Sequence, residues 1–259
     1  MEIDCGKVEK KIVRWIKEKM KESGRKKLIV GMSGGIDSSL VAYLCSKAAK
    51  PKNVHGYFLP YDKTLKDKDL EDAKSLTKNL GINFEIINIT DVVELLRNKL
   101  GKMSRVTFGN MQARIRMVIL YQRANQLDGL VVGTGNKSEW LTGYFTKYGD
   151  GAADIYPIIG LYKTQVRMLA RHVGLPEQII DKVPSPGLWK GHTDEGELGV
   201  KYEELDKFLF YWYDKKLSIT QAAKKAGISV EKAKHIIKMV EKNFHKRLTE
   251  RNMLLDLNV

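Results

Sequence analysis

Residues Leu28 to Ser39, LIVGMSGGIDSS, constrain this chain more than any other stretch. The apolar run Leu28, Ile29, Val30 stops at Gly31, and Gly34 and Gly35 follow. From Asp37 onward Leu40, Val41, Leu44, Cys45 and Ala48 recur at helical spacing. This pattern predicts a strand, a tight turn and a helix. Glycines in such a turn let backbone N–H groups approach an anion, and the helix start adds unsatisfied donors and a positive dipole end. A phosphate is the natural occupant. On glycines alone, a βα turn that binds nothing fits equally well. The string Ser33-Gly34-Gly35-Ile36-Asp37-Ser38 shifts the balance toward a ligand.

The turn is not a Walker loop, because no Gly-Lys-Ser/Thr follows its glycines. It resembles instead the PP-loop of ATP pyrophosphatases, which split ATP between the α- and β-phosphates and adenylate an acceptor oxygen. The side chains suit that chemistry. Ser33, Ser38 and Ser39 can donate to a diphosphate, and Asp37 offers a hard carboxylate for Mg²⁺.

Elsewhere, periodicity predicts an amphipathic helix over Val8 to Met20 and a strand over Val54 to Leu59. A helix over Asp67 to Leu80, a strand over Phe84 to Ile89 and a helix capped by Thr90 and ending at Gly101 follow. Leu130 to Gly133 reads as a fourth strand and Leu161 to Gly174 as a further helix. Alternating strands and helices imply an α/β fold with a doubly wound, mostly parallel sheet of about five strands. The expected division is an N-terminal helix (1–24), an α/β core (25–182), a loop or lid (183–199) and a helical C-terminal part (200–259). The helix over Asn110 to Leu127 carries two apolar stripes, Met111/Ile115/Val118/Ile119 and Ala113/Met117/Leu120/Ala124/Leu127. Such a helix must be covered on two sides, within one subunit or by a symmetry mate.

In open α/β sheets ligands sit at the carboxyl ends of strands, so the loop Thr134 to Glu139 should face the same crevice as the glycine turn. Asp37 and Glu139 together would offer Mg²⁺ two carboxylates, although without the glycine turn a solvated surface Glu139 would be the favoured reading. Gly143 to Pro157 has no helix or strand period, yet it gathers aromatics, glycines, Lys147, Asp150 and Asp154, as a binding loop does. Lys163, at the start of its helix, is placed to reach a phosphate.

Composition narrows the class. Hydrophobic content of 43% and charge of 29% are those of a globular protein. The formal charge of +14 is spread over nearly every helix, which reads as a lysine-rich solvated surface more than a nucleic-acid footprint. Abundant Lys and Glu also suit a heat-adapted protein. The N-terminus lacks the apolar core of a signal peptide, and no apolar run is long enough to span a membrane. Cys5 and Cys45 form no disulfide framework, and the five histidines show no metal-ligand spacing. A cytoplasmic location is the simple expectation.

The chain resembles the NAD synthetase family. The elements are SGGIDS at Ser33, NMQARIRM at Asn110, TGYFTKYGDGAADIYPI at Thr142, VPSPGL at Val183, DEGELGVKYEELD at Asp194 and FHKR at Phe244. The PP-loop is shared with GMP synthetase, asparagine synthetase and tRNA-modifying enzymes; TKYGDGAAD is far more specific. The family joins ammonia to the nicotinate carboxylate of deamido-NAD, consuming ATP through an adenylated intermediate. The resemblance implies that Gly31, Met32, Ser33, Gly34, Gly35, Ile36, Asp37 and Ser38 cradle ATP, with Thr134, Lys163 and Ser185 as further ATP contacts. It implies Mg²⁺ on Asp37 and Glu139, and deamido-NAD on Arg114, Lys147, Asp154, His245 and Lys246. Asp150 would serve a second metal or orient ammonia, and Asp37, Lys163 and Asp150 would carry the catalysis. The resemblance also implies a homodimer. Gly135-Asn136-Lys137-Ser138 departs from the Asp-His-Ala-Ala type of many bacterial members, and Ser185 stands where Thr is common.

No enzyme nucleophile is required. Before Leu28 there is no room for the glutaminase domain of glutamine-using members, so free ammonia is the expected nitrogen source and Cys5 an incidental thiol. One competing reading remains: Ser218 to Lys238 resembles a helix-turn-helix around Gly227-Ile228-Ser229. That would make the chain a nucleic-acid binder or a PP-loop enzyme acting on tRNA. Two helices on a glycine turn are also a common packing unit.

Overall fold

A computed structural model describes residues 1–62, 64–185 and 193–247. Its sheet is parallel throughout: β1 (Lys27–Met32), β2 (Val54–Phe58), β3 (Asn83–Ile86) and β4 (Gly129–Val132), in the order β3-β2-β1-β4. Among the described residues the sheet has four strands, and Ile155 adds a single parallel bridge to Val132. The chain steps outward from β1 to β3, then returns to the far side of β1. The connection reverses between β1 and β4, the point at which doubly wound sheets take ligands at the carboxyl ends of their strands.

Side-chain alternation along β1 divides the interior in two. Leu28, Val30 and Met32 enter one core, with α1 (Cys5–Ser23), α2 (Ile36–Ala48), α3 (Asp67–Leu80), α7 (Lys163–His172) and α8 (Glu177–Ile180). Ile29 enters the other, with α4 (Thr90–Leu100) and α5 (Arg105–Leu127). Both faces are covered, so β1 reads as continuously apolar rather than alternating.

A third core joins α6 (Lys137–Thr142) to the C-terminal helices α10 (Tyr202–Leu209), α11 (Ile219–Ala226) and α12 (Val230–Lys242). Ala222, Ala223, Ala226, Ala233 and Ile236 are all buried in it. The helix-turn-helix pattern of the sequence is thus a packing unit closed by Gly227 at φ 74°.

Several expected boundaries shift. Helix α5 begins at Arg105, where the Ser104 hydroxyl accepts from the Thr107 N–H at 3.1 Å. Thr90 does not cap α4: Asn88 accepts the Thr90 N–H at 2.8 Å, and the Thr90 hydroxyl accepts instead from Asp62 N–H at 3.0 Å. Strand β3 stops at Ile86, although Ile87 and Ile89 still donate to Phe58 and Pro60. The expected loop 183–199 contains a helix, α9 (Asp194–Leu198), capped by Thr193; its residues 186–192 lie outside the described residues.

The two stripes of α5 converge on the sheet rather than facing opposite ways. Met111, Ile115, Ile119, Leu120, Ala124 and Leu127 all join the α4/α5 core. Val118 does not, and it remains 60% exposed. Val92, Leu95, Leu100 and Val106 on α4 and α5 are exposed as well, so among the described residues this outer face has no intrachain cover.

Candidate active site

The glycine turn at the end of β1 is held by its own hydroxyls. Ser38 Oγ accepts from the Ser33 N–H at 3.2 Å and donates to the Gly35 carbonyl at 3.1 Å, while Ser33 Oγ accepts from the Gly35 N–H at 3.2 Å. Gly34 has φ 74°, and a Cβ there would lie 2.3 Å from the Asp69 carbonyl oxygen. Only glycine fits both the conformation and the approach of α3.

Asp37 in the first turn of α2 lies opposite the loop that follows β4. Asn136 Nδ2 donates to Asp37 Oδ1 at 3.0 Å. Asn136 also closes a capping box with Glu139: its Oδ1 accepts from the Glu139 N–H at 3.0 Å and Glu139 Oε2 accepts from the Asn136 N–H at 3.1 Å. A buried asparagine therefore fixes both carboxylates. Lys163, 3% exposed, pairs with Asp37 and approaches Glu139 Oε1 at 3.8 Å. Its ammonium also lies 5.4 Å from the centre of the Tyr202 ring.

The charges reinforce one another. Burial pushes Glu139 up, Asp37 pushes it further, and Lys163 opposes both. For Lys163 burial favours the neutral amine, but the pull of Asp37, Glu139 and Asp194 outweighs it and raises its pKa, so the ammonium is kept. Two carboxylates thus face one cationic point. Their oxygens suit a hard divalent ion such as Mg²⁺, with phosphate oxygens completing its shell.

Beneath this centre, Asp206 of α10 accepts from Ser138 Oγ at 2.5 Å and from the Thr164 N–H at 2.8 Å, and Ser138 Oγ accepts from the Lys163 N–H at 2.9 Å. Asp206 is fully buried, and burial pushes its pKa up to about 6. Asp194, also buried, accepts from the Tyr202 hydroxyl at 2.8 Å and contributes its charge to the same centre.

The loop after α6 forms the second half of the site. Asp150 accepts from the Thr146 N–H at 2.9 Å, and surrounding protein raises its pKa. Thr146 Oγ1 donates to Asn110 Oδ1 at 2.7 Å. Arg114 Nε donates to the Lys147 carbonyl at 3.3 Å, and Lys147 Nζ to the His245 carbonyl at 3.1 Å. Lys246 Nζ donates to the carbonyls of Gly143 at 2.7 Å and Phe145 at 2.9 Å. Residues distant in sequence, Arg114, Lys147, Asp150, His245 and Lys246, are therefore gathered around one loop. Arg116, two positions further along α5, donates from Nε to the Leu59 carbonyl at 2.9 Å, and burial pushes it down to about 10.

Not every expected residue joins these groups. Asp154 accepts from the Val131 N–H at 2.7 Å and from the Tyr121 hydroxyl at 3.3 Å, bracing β4 and α5. Thr134 is half-buried on the strand-to-helix turn, and Ser185 is exposed on the stretch after α8. Sequence reasoning gave no role to Asn136, Lys182, Asp194 or Asp206. The Asn-x-x-Glu spacing of a capping box is the available signal for Asn136, and DEGELGVKYEELD runs from Asp194 to Asp206; Lys182 and Asp206 meet partners 113 and 68 positions away.

A family model described as NAD synthase matches residues 8–250. The chain is 45% identical over 238 residues to the NH(3)-dependent NAD(+) synthetase of Pyrococcus furiosus, covering 92% of this chain and 91% of that protein. Among solved structures, an NMN synthetase from Francisella tularensis superposes with a TM-score of 0.86 at 36% identity, covering 100% of both chains. The NH3-dependent NAD synthetase of Campylobacter jejuni superposes at 0.82 with 31% identity, covering 96% of this chain and 98% of that one. The nucleic-acid reading receives no support from these relatives. Matched along nearly its whole length, with the glycine turn and the loop after α6 in place, the chain belongs to the NAD synthase family.

Proposed function

We propose that this protein amidates the nicotinate carboxylate of deamido-NAD with ammonia, consuming ATP and releasing AMP and pyrophosphate. The observation that carries the reading is the convergence of Asp37, Glu139 and Lys163 beside a glycine turn, with the basic side chains Arg114, Lys147 and Lys246 gathered around the loop after α6.

A carboxylate is a poor acyl donor, and its approach to an α-phosphate brings two anions together. Residues Gly31 to Ser38 would cradle the triphosphate through backbone N–H groups and serine hydroxyls, with Thr134 and Ser185 as further ATP contacts. Lys163 would neutralise charge developing on the phosphates. Asp37 and Glu139 would hold Mg²⁺, which supplies electrostatic stabilisation of those same oxygens. Arg114, Lys147, His245 and Lys246 would position deamido-NAD, with Asp154 bracing β4 and α5 behind them, and Asp150 would orient ammonia or serve a second metal. Formation of the carboxyl–adenylate bond expels pyrophosphate; attack of ammonia then expels AMP.

The exposed apolar side chains of α4 and α5 support a homodimer built on that face. The free thiols of Cys5 and Cys45 suit a cytoplasmic enzyme.

The Francisella relative favours one second reading, in which the acceptor is nicotinate mononucleotide. Both are tested by supplying ATP and Mg²⁺ with either acid and with ammonium or glutamine. The proposal expects amide and AMP in equal amounts from deamido-NAD and ammonium. Preference for the mononucleotide would establish the second reading, and AMP without amide would refute both.

A further inference from the structure

A lysine outside the groups described above grips the back of the glycine turn. Lys182, on the stretch after α8, donates from Nζ to the Gly34 carbonyl at 2.8 Å, to Asp69 Oδ1 at 2.8 Å and to Asp72 Oδ2 at 2.7 Å. All three donors of the ammonium are used. Asp72 is buried and Lys182 half-buried, so the contact is sheltered from solvent. The Asp69 carbonyl meets the same glycine from the α3 side, at the position a Cβ would fill.

The peptide that Lys182 holds lies in the glycine turn that the ATP reading assigns to the phosphates. In a trans peptide the carbonyl and the next N–H point to opposite sides, and the described chain has no cis bonds. Holding the Gly34 carbonyl toward Lys182 therefore turns the Gly35 N–H the other way, toward the serine side of the turn, where it meets Ser33 Oγ. Losing this tie would leave the Gly34–Gly35 peptide to the Gly35 N–H bond with Ser33 Oγ, and glycine at both positions leaves a flip sterically open. A flipped peptide would present a carbonyl oxygen to a phosphate.

We propose that Lys182, tied to Asp69 and Asp72 of α3, is a positioning residue that fixes the Gly34–Gly35 peptide in the orientation that binds the ATP phosphates. Lys182 also lies three residues before Ser185, so one side chain links the glycine turn, α3 and a further candidate ATP contact. The proposal rests on the ATP reading given above.

The test compares the native protein with Lys182→Met, Lys182→Arg and Asp72→Asn, measuring ATP and pyrophosphate binding by calorimetry, thermal unfolding, and KM for each substrate. Loss of a charge-assisted hydrogen-bond donor should weaken ATP and pyrophosphate roughly tenfold or more in Lys182→Met. KM for ATP should rise while KM for deamido-NAD stays within about twofold, and Lys182→Arg should recover most of the loss. Asp72→Asn keeps the shape of the contact and should show a smaller loss of the same kind, so the question is answered even if Lys182→Met does not fold. Unchanged ATP binding in the folded variants, or equal losses for ATP and deamido-NAD, would overturn the proposal. A native protein that binds neither ATP nor pyrophosphate would instead overturn the reading beneath it.

Discussion

The ammonium of Lys163 lies against the carboxylate of Asp37, joining the first turn of α7 to the first turn of α2 across 126 positions of sequence. Two strand-end loops and two helix starts meet at this pair, and Glu139 stands on its other side.

Lys163→Met should remove the charge that offsets the developing phosphate anions. The expected loss is about 3 kcal/mol of barrier, or more than a hundredfold in kcat, as steady-state kinetics at saturating substrates would show. The KM of deamido-NAD should change little, because its candidate contacts are gathered around the loop after α6. A variant with native kcat would remove Lys163 from the chemistry.

Replacing Gly34 with alanine sets a Cβ 2.3 Å from the Asp69 carbonyl at a φ of 74°. The turn and α3 must part, so Gly34→Ala should lose both thermal stability and ATP affinity. Gly160→Ala, where a Cβ meets nothing within 4 Å, is the matched control and should behave as native. Calorimetric titration with ATP on both variants separates the two outcomes.

Asp206 gives a pH dependence whose sign is fixed. Burial lifts its pKa from the ordinary 3.8 to about 6, so between those values the folded protein keeps a proton that the unfolded chain has released. Stability from this group is therefore present at low pH and is lost as pH rises to about 6, by about 3 kcal/mol in all. Urea unfolding of native protein and Asp206→Asn across pH 4 to 7 should show the native advantage shrinking by roughly that amount. A constant difference between the two would contradict the assignment.

How much of this was legible beforehand follows from how local each signal is. The strand, turn and helix at Leu28 to Ser39 announce themselves because each residue constrains its neighbours, and the same holds for the apolar periods of α1 and α3. The candidate dinucleotide contacts were identified by resemblance, and the structure gathers four of the five around one loop. Asp154 is the exception: its bonds go to Val131 and Tyr121. Asn136 looked like a departure from the family pattern, yet it is fully buried and binds Asp37 directly. Lys182 carried no local pattern, and Asp206 closed the DEGELGVKYEELD element without any sign of what it binds. Their partners lie 113 and 68 positions away, distances that only the folded chain resolves. The two stripes of α5 gave a true apolar count but a false geometry, since the face over the sheet is wide enough to take most of both.

If the outer face of α4 and α5 is the dimer contact, a charge there should dissolve it. Leu95 and Val118 are 55% and 60% exposed, so Leu95→Asp or Val118→Asp should leave the monomer fold intact. Sedimentation should then show a dimer for the native protein and a monomer for either variant. A native monomer with full activity would remove the subunit interface from the account.

Heavy-oxygen labelling reads out carboxyl–adenylate formation at the Asp37–Glu139–Lys163 centre. Deamido-NAD labelled in its nicotinate carboxylate, given ATP, Mg²⁺ and ammonium, should transfer one labelled oxygen to the phosphate of AMP for each amide formed, as mass spectrometry would record. Amide formation with unlabelled AMP would contradict the account.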